Sequence, residues 1–436
     1  MSDRKTYLVF DSRVISSVAN VRLVPGSIQK AAANPLLCED KPWEPRFDNV
    51  YPTVIRDPET GLYRLWYNTF IIDPLSSNTS RADRKRIPYE VGDREMGVCY
   101  AESRDGFEWK KPELGRIEFE GSTRNNLVMR NIHGTGVFFD SHDPDPKRRY
   151  KAFMQNGVAF SGDGLGWSPV RTCPGIQARG DTHNNALLYE RTGEYIGITR
   201  LWKNEERVVG LTRSRDFLDW TKSGEILRGD RNHQTYSMPV IAFEDGLLGL
   251  VSIFHVEEDT VDCEWVWSPD SYRWHRLCPG LAAIPRGPEG SFDSGCIFAA
   301  APLFEEERIL LYYGANNGPH SGWRDGFLGR ASLGANRIAG FTPTSREEAG
   351  VVITQPVECT GNRLYVNADI SEGEMRVELL GLEGWGRGEC RPPQGDLAEC
   401  EVVWDSGRDL APFRGKPIQV LFELRAASLY AFGFAG

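Results

Sequence analysis

Long apolar runs are missing from this chain. No stretch approaches the roughly 20 consecutive apolar residues that span a bilayer as a helix, and no segment of any length repeats its apolar residues at helical spacing. Met1 to Lys5 are followed by no apolar core of a secretory signal. Cysteine is sparse, nine residues widely spaced with no CxxC pair. That excludes a disulfide framework and a zinc ribbon, and predicts reduced thiols in a cytoplasmic protein. Basic stripes are lacking too: the formal net charge is −10. The longest basic run, Arg81, Arg84, Lys85 and Arg86, sits in a polar stretch that reads as a solvated loop, or else as an anion or substrate contact. Nucleic-acid and membrane partners are not expected. P-loop, GxGxxG, GxSxG and HExxH motifs are absent, which removes the sequence support for nucleotide chemistry and for hydrolase triads.

Aromatic residues are plentiful, at 11%, and the 45 glycines and 26 prolines follow no period. This is the composition of a globular chain of short strands joined by turns. Four segments share the spacing Ser-x-Asp-x-x-x-Trp: Ser103, Asp105 and Trp109; Ser161, Asp163 and Trp167; Ser214, Asp216 and Trp220; Ser268, Asp270 and Trp274. Successive serines lie 58, 53 and 54 residues apart. Ser and Asp side chains close tight turns through nearby backbone, and the Trp then starts another strand and can pack over the turn. Two β-rich runs precede each turn, as in residues 51–55 and 63–67, and a fifth set ends in a degenerate turn near Ser332. Three or four strands repeated every 50 residues or so predict the blades of a propeller. The predicted fold is all-β: a segment at 1–33 packing on the propeller, five blades over 34–345, and a β-sandwich over 350–436, where alternating strands are separated by Gly, Pro and Asp turns.

In a propeller the starts of the innermost strands converge on one funnel. The segments expected there are polar. Trp43, Glu44, Arg46, Asp48 and Asn49 open the first blade, His133 the second, and Asp181 and His183 the third. His233 and Tyr236 open the fourth, and Glu289 and Asp293 the fifth, with His320 further on. Glycoside hydrolysis needs two carboxyl groups flanking the scissile bond. Asp48, Asp181 and Asp293, with Glu44 and Glu289 in reserve, satisfy that count. Trp43, Glu44, Arg46, Asn49, His133, His183, His233, Tyr236 and His320 are the candidate sugar contacts. No cofactor or catalytic metal is called for, although convergent His and Asp are compatible with a structural divalent ion on the axis.

Residues 51–58 with 63–67, and then 100–112, resemble the five-bladed glycosidase superfamily of β-fructosidases, arabinanases, xylosidases and β-mannoside phosphorylases. The resemblance implies a propeller followed by a sandwich, and gives Asp48 and Asp181 the first two carboxylate roles. The fructosidase opening Trp-Met-Asn-Asp-Pro-Asn-Gly is absent, and no Glu-Cys acid motif follows the third blade. The expected activity is a glycoside hydrolase on an oligosaccharide or a glycoside, furanosides included. Asp48 is the expected nucleophile or base, Asp181 the stabiliser of the transition state, and Asp293 or Glu289 the acid. The alternatives are a phosphorylase, with Arg46, Arg179, His233 and Arg286 available for phosphate, and a non-catalytic sugar-binding propeller. The expected partner is a small carbohydrate, and a homo-oligomer is compatible with the sequence.

Overall fold

The computed structural model describes residues 5–84, 86–90, 92–176 and 182–436. Among these the chain is nearly all β. The α-helical exception is the short Pro74–Asn78, whose start Asp73 caps by accepting from the Ser76 amide. No helix among the described residues is long and apolar enough to cross a membrane.

Three successive antiparallel sheets have four strands in chain order. The first is Thr53–Arg56, Tyr63–Ile72, Glu95–Ser103 and Leu127–Arg130. The second is Gly136–Phe139, Tyr150–Met154, Gly157–Ser161 and Arg171–Thr172. The third is Asn185–Tyr189, Glu194–Lys203, Glu206–Ser214 and Gly224–Arg228. Two further meanders follow, built around Gly246–His255 with Thr260–Ser268 and around Arg308–Asn316 with Gly326–Gly334. One parallel contact, Val261 against Cys296, merges them into a single eleven-stranded sheet. Each meander carries its own layer of aromatic and branched side chains, such as Trp66, Tyr100 and Tyr150 at the first boundary and Leu187, Ile198, Val240 and Val251 at a later one.

The Ser-x-Asp turns close these meanders as expected. At the second, Ser161 Oγ accepts from the Gly164 amide at 2.9 Å, and Asp163 Oδ1 accepts from the amides of Leu165 and Gly166 at 2.9 and 2.8 Å. Trp167 then donates its indole N–H back to the Gly164 carbonyl at 3.1 Å.

Of residues 1–33, expected to pack on the propeller, the described part from residue 5 divides between two places, and the stretch just after it follows Gln29–Lys30. Gln29–Lys30 and Leu37–Cys38 pair with Gly326–Gly334 and complete the last meander. Lys5–Leu8, Ile15–Ala19 and Val21–Pro25 pair instead with strands of the C-terminal part. Their alternating apolar residues find unpaired edges there, which satisfies the ladder hydrogen bonds. The C-terminal part consists of a six-stranded and a four-stranded sheet. One core takes Val352, Val366, Val377, Trp404, Phe422 and Phe432 from both.

Candidate functional site

Successive meanders are tied together at the starts of their first strands. Asn68 exchanges hydrogen bonds with Thr135, its amide donating to the Thr135 carbonyl at 3.1 Å and its carbonyl accepting from the Thr135 N–H at 3.0 Å. Asn184 donates to the Gly134 carbonyl, and Thr182 Oγ1 to the Tyr236 carbonyl at 2.9 Å. Asn316 donates to the Asp48 carbonyl at 3.0 Å, which returns the series to the first meander. The strand starts therefore surround one centre, as the funnel argument requires.

Asp48 lies at that centre. The backbone turns sharply after it: Val50 and Tyr51 both have left-handed φ, 59° and 42°. For a β-branched and an aromatic residue that is strained backbone, of the kind held at sites where the surroundings over-determine it. The turn buries Asp48 and Asn49 and stacks the Tyr51 ring on His183, with centroids 5.6 Å apart. His133 meets the same tyrosine edge-on at 6.0 Å. Tyr236 stands across from it, with Phe298 against both rings, and His320 Nε2 lies 3.1 Å from the Tyr236 hydroxyl.

Sequence reasoning missed the residue that holds Asp48. Arg324, 4% exposed, donates through Nη2 to Asp48 Oδ1 at 2.7 Å and to Asn49 Oδ1 at 2.9 Å. It comes from the loop 317–325, which also carries His320. That loop is pinned by Asp259, whose carboxylate accepts from Ser321 and whose carbonyl accepts from the His320 amide. Glu39 was missed as well. Its Oε1 accepts from the amides of Phe47 at 2.7 Å and Gly326 at 3.1 Å, one residue before Asp48 and two after Arg324. Burial pushes its carboxyl up to about 7. Nothing in its sequence neighbourhood, Cys38 to Asp40, marks it.

Burial also pushes His183 down to about 3. Burial and the charge of Arg324 push His320 down to about 4. Both imidazoles are therefore neutral near pH 7 and suited to hydroxyl groups, each ring nitrogen able to accept or to donate according to tautomer. His183 Nε2 lies 3.3 Å from Thr53 Oγ1. On the far side of His183, the first strands enclose an apolar cavity of about 320 Å³ along the axis, bordered by Val54, Phe138, Leu187, Ile241 and Leu303.

Arg46 is 2% exposed, and its guanidinium carbon sits 3.8 Å from the centre of the Tyr89 ring. The loop that supplies Tyr89 contains the basic run read as solvated. Arg84 corrects that reading: its side chain is 11% exposed and pairs with Asp325 at 2.8 Å. Trp323 donates to the Ile87 carbonyl and stands edge-on to Tyr89. The loop thus roofs the site, while Arg81 and Arg86 face solvent and Lys85 lies outside the described residues.

Several expected contacts lie elsewhere. Trp43 donates to Asn126 Oδ1 at 2.6 Å and packs behind the first sheet with Phe119. Glu44 is buried between Lys111 Nζ at 2.6 Å and the Tyr67 hydroxyl at 2.5 Å, a structural ion pair. Asp293 is engaged by Lys30 Nζ at 2.5 Å, Tyr313 and Ser291, away from the Asp48 group. His233 is exposed and pairs with Asp230. Glu289, also exposed, borders an open groove with Asp262, Arg286 and Asn317. Asp181 and Arg179 lie outside the described residues. Among the described residues no group of three or more His, Cys, Asp and Glu could hold a metal ion.

No family model and no curated protein matches the sequence. Solved structures do. The β-1,2-mannobiose phosphorylase from Listeria innocua, in complex with β-1,2-mannobiose, is 13% identical, covers 72% of this chain and 98% of its own, and superposes with a TM-score of 0.50. A glycosyl hydrolase from Bacteroides ovatus is 14% identical over 74% of this chain and 98% of its own, at 0.48. A family 117 glycoside hydrolase from the marine bacterium Zobellia galactanivorans is 12% identical over 71% and 90%, at 0.44. At such identities the likeness is one of fold. The chain shares the propeller-type fold of the mannobiose phosphorylase, as the motifs at residues 51–67 and 100–112 imply.

Proposed function

We propose that the five meanders are the blades of a five-bladed propeller, that the two C-terminal sheets form a β-sandwich, and that the chain is a glycosidase. It cleaves a glycosidic bond of a small sugar seated over Asp48. The observation that carries the reading is the pairing of the Asp48 carboxylate with buried Arg324, among Asn49, Tyr51, His183, Tyr236 and His320. An aspartate fixed by a guanidinium keeps its second oxygen available as base or nucleophile, and neutral histidines with a tyrosine hydroxyl are the groups that orient sugar hydroxyls. Asp181 is assigned the second carboxyl, since its chain position places it two residues before His183. Asp293, consumed by Lys30 and Tyr313, is not assigned a role in the reaction.

The test compares wild type with Asp48→Asn on a panel of nitrophenyl glycosides and short oligosaccharides, with and without phosphate. Wild type releases sugar without phosphate, and the variant loses more than about a hundredfold in kcat/KM, the scale of a general base. Its circular dichroism spectrum stays unchanged. If release required phosphate, the reaction would be phosphorolysis; if wild type released nothing, the hydrolase reading would fall.

A further inference from the structure

The roof of the site holds a buried guanidinium with no ion-pair partner among the described residues, Asp48 and Asp73 acting on it only from a distance. Arg46 donates Nη2 to the Gly322 carbonyl at 3.1 Å. Its Nε and Nη1 are buried without an acceptor, and no carboxylate comes within ion-pair distance of it among the described residues. A second guanidinium, that of Arg324, is near enough to act on its charge. Arg324 is spent on Asp48 and Asn49 and keeps a buried Nε without an acceptor. Leaving N–H groups of a buried cation unmet is costly, and a native structure that does so calls for a missing partner. A neutral hydroxyl would accept a hydrogen bond but leave the charge uncompensated, whereas a carboxylate meets both needs.

We infer that the substrate is an acidic sugar, whose carboxylate is held by Arg46 beneath the Tyr89 and Trp323 roof with Arg324 beside it. This rests on the reading of the Asp48 centre as a sugar site. Free inorganic phosphate has the same oxyanion chemistry, so the test separates the two sources. The Arg46 environment supports an anion from a second direction: burial and the nearby Arg324 charge both lower its affinity for its own proton, and a bound anion reverses that cost.

Titration calorimetry would measure binding of glucuronate, galacturonate and mannuronate against glucose, galactose and mannose, and of inorganic phosphate, to the whole chain at low salt. At least one acid is expected to bind about tenfold or more tighter than its neutral counterpart, and added salt should weaken it. Arg46→Gln should erase that ratio, and Arg46→Lys, which keeps the charge and is the safer variant for folding, should retain part of it. Equal affinity for the members of every pair overturns the inference while leaving the glycosidase reading intact. Phosphate binding lost in Arg46→Gln, without preference for any acid, overturns it in favour of a phosphate site. If no sugar of either kind binds, both readings fall.

Discussion

Glu39 joins the two segments that carry Asp48 and Arg324, and its chemistry makes a stability prediction. Its carboxyl is raised by burial from 4.5 to about 7. The folded state therefore holds this proton more tightly than the unfolded chain does. Its contribution is most favourable below pH 4.5, falls as pH rises to about 7, and is constant beyond, a difference of about 3 kcal/mol. His183 and His320 act in the opposite sense: unfolded they protonate near 6.5, folded only near 3 and 4, so they destabilise as pH drops below 6.5. The difference between wild type and Glu39→Gln isolates Glu39. Urea midpoints from pH 4.5 to 8 should show the variant gaining on wild type as pH rises; a constant difference would refute the assignment. Asp48, Asn49, His183 and Tyr236 were legible in the sequence because each stands near a strand start, and His320 because it is one of only seven histidines. Arg324 and Glu39 were not: one is 276 residues from its aspartate, and the other meets the Phe47 and Gly326 amides and Arg81, none of them marked in its own neighbourhood. The ion pair of Asp293 was not legible for the same reason, since Lys30 lies 263 residues away.

At the scale of the element, the Ser-x-Asp turn explains why the meanders could be read from spacing. The residue after Asp is left-handed in every copy: Gly106 at φ 75°, Gly164 at 72°, Phe217 at 63° and Ser271 at 66°. Glycine takes that conformation without penalty. Phe217 holds it because its ring is buried against Phe153 and Trp220. The turn aspartates Asp163, Asp216 and Asp270 each accept two backbone N–H bonds, which help hold their pKa values down. A Cβ on Gly164 would lie 2.7 Å from the Trp66 ring as well as in left-handed backbone. Gly164→Ala should therefore cost about 2 kcal/mol, from backbone strain plus overpacking. A calorimetric Tm equal to wild type would mean that the turn relaxes freely. Element boundaries were less legible where the chain leaves the repeat. The basic run at 81–86 looked solvated because its charges are dense, yet Arg84 and, beyond it, Tyr89 are half-buried against partners from loop 317–325 that no local pattern reveals.

Over the whole molecule, the N-terminal segment stitches the two parts together. Residues 5–25 complete the C-terminal sheets, and four residues later Gln29–Lys30 enters the last meander beside Ala331 and Ser332. Lys30 makes this join electrostatic, because its ammonium is the cation facing Asp293, which is 2% exposed. Removing one partner of a fully buried pair costs roughly 3–5 kcal/mol. Here Lys30 is partly solvated and Asp293 keeps Tyr313 and Ser291, so Lys30→Ala should cost about 2 kcal/mol. The effect reaches further than its size, since the same strand pairs with Gly326–Gly334 of the last meander. Lys30→Ala should lower the Tm and speed proteolysis at residues 26–36, whereas Lys30→Ala with Asp293→Asn should recover much of the loss, having no buried charge left unpaired. Additive losses in the double variant, measured by urea unfolding, would show that Lys30 acts through its strand and not through Asp293.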